Sequence, residues 1–219
     1  MTIRLAIFDC DGTLVDSQHS IFAAMSAAFD AMALTCPPRA EVLAGVGLSL
    51  PQLMVRLMPE AEPGLHEQVI GAYKNAFFAM RAGGTLEEPL YEGVAALLDQ
   101  LDAAGWLLAV ATGKSDRGLN AVLAHHGLSR RFVSLQTADR HPSKPHPAMI
   151  EAALAQAGAN AADAVMIGDT SFDMMMARAA GVRALGVGWG YHDAEELVAS
   201  GAASVAMDSA ELARHIGLP

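Results

Sequence analysis

Positive charge is scarce in this chain: 14 Lys and Arg stand against 24 Asp and Glu, a formal net charge of −10 over 219 residues. Such a field repels polyanions, and no block of Lys or Arg offers a local exception, so nucleic acid is not an expected partner. Cysteine is nearly absent too. Cys10 and Cys36 are too few for a disulfide framework and lack the neighbours a zinc site needs, which suits a reducing compartment. No apolar stretch approaches the roughly 18 uninterrupted residues of a membrane span. The first residues reach Asp9 and Asp11 without an apolar signal core or a cleavage site, so a cytoplasmic location is the expectation. What is there is ordinary globular composition, 53% hydrophobic and 17% charged, at a length that buries about 70% of the unfolded surface without staples. Nothing marks an obligate protein partner.

Short apolar runs, each stopping at polar or Gly residues, read as buried strands at 3–8, 107–111, 132–135, 164–167 and 184–187. Helical periodicity fills the intervals at 94–104, 118–125, 148–157 and 172–180. Strands alternating with helices of that length imply right-handed crossovers, so the predicted fold is α/β: a Rossmann-like, doubly wound parallel sheet covered on both faces. The alternation breaks once. Between Ser17 and about Leu86 only helical stretches occur, at 21–32, 51–57 and 65–80, separated by Pro37-Pro38, Pro59 and Pro63. A block of that size reads as an inserted α-helical cap domain. The expected division is an α/β core from 1–15 and 87–219 and a helical cap from 16–86, with hinges near Val15 and at Leu86 to Tyr91. The plainer alternative is a long crossover packed into the main domain.

In open α/β sheets, functional groups gather at the carboxyl ends of strands. Those ends carry Asp9-Cys10-Asp11-Gly12-Thr13, then Thr112-Gly113-Lys114, then Gly168-Asp169-Thr170-Ser171-Phe172-Asp173; Lys144 sits in a Pro-bounded loop after the third strand. Two apart on an ending strand, Asp9 and Asp11 turn both carboxylates to one side and Cys10 to the other. Carboxylates so placed repel unless a cation or a proton intervenes. A hard metal with oxygen ligands is the natural partner, and Mg²⁺ suits a site that also takes phosphate oxygens and water. Asp169 would add a further oxygen, and Asp173, at a helix start, can hold a metal-bound water or Lys144. Taken singly, each residue has a plainer reading: Asp9 and Asp169 as caps, Asp173 as a first-turn acid, Thr112 as a strand end, Lys144 as a solvated loop residue. Their joint placement at neighbouring strand ends favours a site.

These four motifs, in this order and across nearly the whole chain, resemble those of the haloacid dehalogenase superfamily. The insertion after the first motif, and the flanks Leu14-Val15-Asp16-Ser17, Gly45-Val46-Gly47-Leu48 and Gly188-Trp189-Gly190-Tyr191, are similar to its phosphoglycolate phosphatase and β-phosphoglucomutase branch. The resemblance implies an Mg²⁺-dependent phosphomonoester hydrolase acting on a small phosphorylated metabolite, phosphoglycolate-like or a sugar phosphate, through an aspartyl-phosphate. It makes Asp9 the nucleophile, whose oxygen needs no prior deprotonation, and Asp11 the general acid and base. Thr112, the Gly113 N–H and Lys144 become phosphate ligands, and Asp9, Asp11, Asp169 and Asp173 the metal group. A charge count bears on Asp11. A phosphomonoester dianion beside ionised Asp9, Asp169 and Asp173 outweighs a divalent cation plus Lys144, so Asp11 is expected to enter the reaction protonated.

Other readings fit less well. A phosphosugar mutase of that branch carries basic residues around Gly45-Val46-Gly47, where Ala44 and Leu48 stand. A dehalogenase has no use for a metal or for Asp11 beside its nucleophile. A receiver-type signalling protein shares acidic residues, Mg²⁺, a Thr and a Lys, but it lacks a cap and must keep its phosphoryl group, which an acid/base two residues from the nucleophile opposes. Arg56, Lys74 and Arg81 read as a solvated cap face before they read as grips for a second anion. His125, His126, His141 and His146 read as solvated or locally bonded, Cys10 as a small buried hydrophobe and Met174-Met175-Met176 as core filler.

Overall fold

The computed structural model describes residues 2–218. Strand β1 (Leu5–Phe8) is buried at every residue, as a strand covered on both faces must be. It pairs in parallel with β2 (Leu107–Thr112) on one side and β4 (Ala164–Gly168) on the other. With β3 (Ser134–Thr137), β5 (Arg183–Val187) and β6 (Ser204–Ala206) the sheet runs β3-β2-β1-β4-β5-β6. Side-chain alternation sorts the core into two layers. Ala6, Phe8, Val110 and Ile167 point to one face, covered by α5 (Val94–Ala103), α6 (Asp116–His125) and α10 (Ser209–Ile216). Leu5, Ile7, Ala109 and Met166 point to the other, covered by α7 (Ala148–Ala157), α8 (Ser171–Ala179) and α9 (Ala194–Ser200). The chain builds outward from β1 through β2 to β3, then crosses to β4 and builds the other way. That reversal opens a crevice at the carboxyl ends of β1 and β4.

Four helices lie between β1 and α5: α1 (Gln18–Ala31), α2 (Arg39–Leu43), α3 (Leu50–Leu57) and α4 (Pro63–Ala82). In α1, Ile21, Met25, Ala28 and Phe29 recur at helical spacing and are buried. They join Val42, Leu53, Met54 and Val69 in an apolar cluster separate from the sheet's two layers. Proline in the first turn sets the starts of α3 and α4. The segments leading into and out of this bundle run side by side. Asp16 N–H donates to Pro89 O at 2.8 Å, and Tyr91 N–H to Leu14 O at 3.0 Å.

Two features differ from the periodicity. β3 starts at Ser134, two residues later than the apolar run suggests, because Phe132 packs into the core ahead of the strand. The stretch after β5 holds a sixth strand and two further helices; β6 is three residues long and mostly half-buried, too short and too mixed to make an apolar run. Met174 and Met176 are fully buried against the sheet, while Met175 is 37% exposed. Among the described residues, no helix is long and apolar enough to cross a membrane.

Candidate active site

Asp9 directly follows β1, and its N–H still bonds Ile167 O at 2.9 Å, so the sheet fixes its position. The chain then turns tightly, with the N–H groups of Leu14 and Val15 both bonded to Cys10 O. Gly12 sits in this turn at φ +80°, and a Cβ there would overlap the Asp169 carboxylate and the Tyr191 ring. Backbone and neighbours both require glycine. The turn leaves Asp9 and Asp11 lining one cavity and Cys10 buried in the core. Thr112, at the end of β2 and 1% exposed, lines the same cavity with Gly113. A Cβ on Gly113 would meet the carbonyl oxygens of Gly47 and Leu48 at 2.6 and 2.7 Å, so the loop before α3 approaches this strand end backbone to backbone.

Behind the cavity lies a buried charge cluster. The Lys144 ammonium is 2.9 Å from Asp9 Oδ2 and 2.6 Å from Asp173 Oδ1, with its side chain wholly buried. Asp173 is also the N3 member of the capping box of α8, whose N-cap is Thr170: its Oδ2 accepts from Thr170 N–H at 3.1 Å and from Thr170 Oγ1 at 2.7 Å. Asp173 thus meets Lys144 with one oxygen and Thr170 with the other. Asp169, fully buried, accepts from Thr13 Oγ1 at 2.8 Å and from Tyr191 N–H at 3.0 Å.

Burial pushes the Asp9 carboxyl up to about 7; Lys144 pulls it back in part, and Asp173 adds to the rise. Burial, then Asp9 and Asp173, likewise raise Asp169 well above the usual carboxylate range. Burial alone would lower Lys144, but Asp173 and Asp9 outweigh it and hold the ammonium charged. Oxygens of Asp9, Asp169 and Asp173 lie within 4.8 Å of one another, and one lysine is too little positive charge for three buried carboxylates. Asp9 Oδ2 has the Lys144 ammonium at 2.9 Å and no further partner. Three buried carboxyl groups that share one ammonium fit a hard divalent cation.

The Asp11 carboxylate turns away from this group. It accepts from Ser17 Oγ and lies 2.8 Å from the Lys114 ammonium. Lys114 bridges on to Glu88 at 2.8 Å, and Arg81 meets the other oxygen of Glu88 at 2.8 Å. Ser17 in turn shares a hydrogen bond with the Tyr191 hydroxyl at 3.0 Å. Lys114 is thus a positive charge at the site beyond Lys144. Lys114, Ser17, Tyr191 and Thr13 all sit inside or beside the motifs already noted, yet nothing local says what they touch. Glu88 reaches the site only through the fold. Of the basic residues on α3 and α4, Arg81 and Lys74 line the cavity, and Arg56 does not; it lies 6.0 Å over the Phe172 ring instead. Among the histidines, His126 bonds Glu88 O and His141 bonds Gln136.

A family model described as haloacid dehalogenase-like hydrolase matches residues 6–187, which includes every strand end that bears the site. "Probable phosphatase IndB" of Dickeya dadantii is 36% identical over 200 residues, covering 90% of this chain and 86% of that protein. A phosphoglycolate phosphatase of Yersinia pestis is 31% identical over 220 residues, covering 99% and 94%. The crystal structure of a predicted phosphatase from Clostridium acetobutylicum matches with a TM-score of 0.87 at 26% identity, covering 99% of each chain. Fold, strand-end residues and these similarities agree: the chain belongs to the haloacid dehalogenase-like hydrolases and is an enzyme of their phosphatase group.

Proposed function

We propose that the protein is an Mg²⁺-dependent phosphomonoester hydrolase that works through a phosphorylated Asp9 and takes a small phosphorylated metabolite. The observation that carries this reading is the buried Asp9 carboxyl, whose Oδ2 has no partner besides the Lys144 ammonium, on a residue that lines the same cavity as Asp11, Thr112 and Gly113. Thr112 Oγ1, the Gly113 N–H and the Lys144 ammonium hold the phosphate oxygens. The Asp9 carboxylate attacks phosphorus while the ester P–O bond breaks, and Asp11 delivers a proton to the departing alkoxide. Asp11 then takes a proton from water, whose oxygen attacks the same phosphorus and frees Asp9 and inorganic phosphate. Asp9 and Asp169, with Asp173 beside them, would hold the cation, which supplies charge neutralisation for the transferring phosphoryl group. Ser17 and Lys114 hold the Asp11 carboxylate in place.

Steady-state hydrolysis of p-nitrophenyl phosphate tests the reading: turnover with Mg²⁺ that stops with EDTA and resumes on adding Mg²⁺ is expected, and no turnover under any metal condition would sink it. The Asp11→Asn variant separates the two half-reactions. p-Nitrophenolate leaves without a proton, so one equivalent should appear in a burst, after which turnover runs about 10²–10⁴-fold below the parent. A variant with neither burst nor loss of rate contradicts the role given to Asp11.

Binding of the cation also has a pH signature. With its folded value raised to about 7, Asp9 favours folding fully below its unfolded value and ceases to as pH rises through 7, where it becomes a buried carboxylate in need of a cation. Near pH 8, Mg²⁺ at about a hundred times its dissociation constant should stabilise by ~2.7 kcal/mol, raising Tm by about 5–10 °C. Near pH 5 the shift should largely vanish. Thermal unfolding with and without Mg²⁺ at the two pH values checks this.

A further inference from the structure

Building on the phosphomonoesterase reading for the seat of the phosphate, we propose that the alcohol this enzyme releases is apolar and ring-bearing, neither a hydroxyacid nor a sugar. The cavity that Asp9 and Asp11 line has a volume of about 370 Å³, inside the roughly 300–1,000 Å³ range of sites that enclose whole drug-sized ligands. Its cap-side wall is apolar: Ile21 from α1, Val46 and Leu53 at and before α3, and Tyr73, Phe77 and Phe78 from α4. Ile21, Val46 and Leu53 are no more than 6% exposed and belong to the cap's own core, so close packing holds this wall in place.

Of the four cations that line the cavity, Lys114 and Arg81 are already paired with carboxylates. Lys114 is shared between Asp11 and Glu88, each at 2.8 Å, and lies 5.5 Å from the Phe77 ring centroid. Arg81 is paired with Glu88. Arg117 rests 4.5 Å over the Phe78 ring, and both Arg117 and Lys74 are solvent-exposed. A carboxylate carried close to the phosphate, as in phosphoglycolate, meets carbon where it needs a free buried cation. The hydroxyls of a sugar meet the same wall and lose water without replacement. A flat or branched apolar group instead fills the volume, covers the part-buried Tyr73 and Phe77 rings, and releases water from both surfaces.

The test separates recognition from turnover by using phosphonates, which cannot be hydrolysed. Calorimetric titration of the full-length protein with Mg²⁺ compares 3-phenylpropylphosphonate with 3-phosphonopropionate, the isosteres of phenylethyl phosphate and phosphoglycolate. The aryl compound should bind at least about thirtyfold tighter, as burial of one ring implies, with a more negative heat-capacity change. Leu53→Asn, or Phe77→Ser if that variant does not fold, should reduce the preference at least about tenfold. In parallel, kcat/KM for 2-phenylethyl phosphate should exceed that for phosphoglycolate and glucose 6-phosphate, esters whose alcohols are alike as leaving groups. Equal or tighter binding of 3-phosphonopropionate, or a preference untouched by both substitutions, overturns the proposal and leaves the hydrolase reading standing. Tight aryl phosphonate binding by a protein that hydrolyses no ester supports the pocket assignment and removes the hydrolase reading.

Discussion

Replacing Asp9 by Asn is expected to lower kcat for every phosphomonoester by at least about 10⁴-fold, since an amide cannot take the place of an anionic nucleophile. The same change should stabilise the metal-free protein. Burial holds the Asp9 carboxyl near 7, so above that pH the folded chain carries a buried carboxylate that Asn removes. Lys144 loses one partner but keeps Asp173 at 2.6 Å. The gain in Tm should appear near pH 8 and fade toward pH 5, where Asp9 is already neutral. Activity lost with stability gained marks a residue kept for chemistry. Retention of more than about a tenth of the activity, or a fall in Tm at both pH values, contradicts the role assigned to Asp9.

The Lys144→Met substitution is the second large effect, and here stability and activity should fall together. Met keeps most of the volume but leaves Asp9 and Asp173 without the ammonium that lies between them. Breaking a buried pair in this way costs about 3–5 kcal/mol, a drop in Tm of about 10 °C for a domain of this size. The sign with pH follows from the neighbours. Lys144 pulls the Asp9 carboxyl down, so its removal lets Asp9 take up a proton more readily, and protonation relieves the unpaired charge. The loss should therefore be larger near pH 8 than near pH 5. Chemical denaturation at both values checks it, and a pH-independent loss under about 1 kcal/mol would mean that Lys144 is no more than a surface-like pair.

How much of this was readable beforehand depends on whether a residue's role is set locally. Asp9, Thr112 and Asp169 sit at the carboxyl ends of β1, β2 and β4, and a parallel sheet brings such ends together whatever the rest of the chain does. Gly12 is local in the same sense, because the turn itself needs its positive φ. The pairing of Asp11 with Lys114 and Glu88 is different in kind. It joins the end of β1, the loop after β2 and the segment leading out of the helical bundle, and only their packing decides that these charges meet. The apolar wall over the cavity is also a product of packing, since Ile21, Leu53 and Phe77 come from three separate helices. β6 escaped notice because a strand whose pairing is supplied by β5 needs little apolar signal of its own.

Covalent phosphorylation of Asp9 is the centre of the account, and rapid acid quench followed by mass spectrometry reads it most directly. Enzyme mixed with Mg²⁺ and excess p-nitrophenyl phosphate, quenched during the first turnover, should carry one phosphoryl group on the peptide that contains Asp9. Hydroxylamine should remove it, the Asp11→Asn variant should accumulate it, and the Asp9→Asn variant should lack it. An unmodified Asp9 peptide throughout the burst of the Asp11→Asn variant, or the phosphoryl group on another residue, contradicts the account.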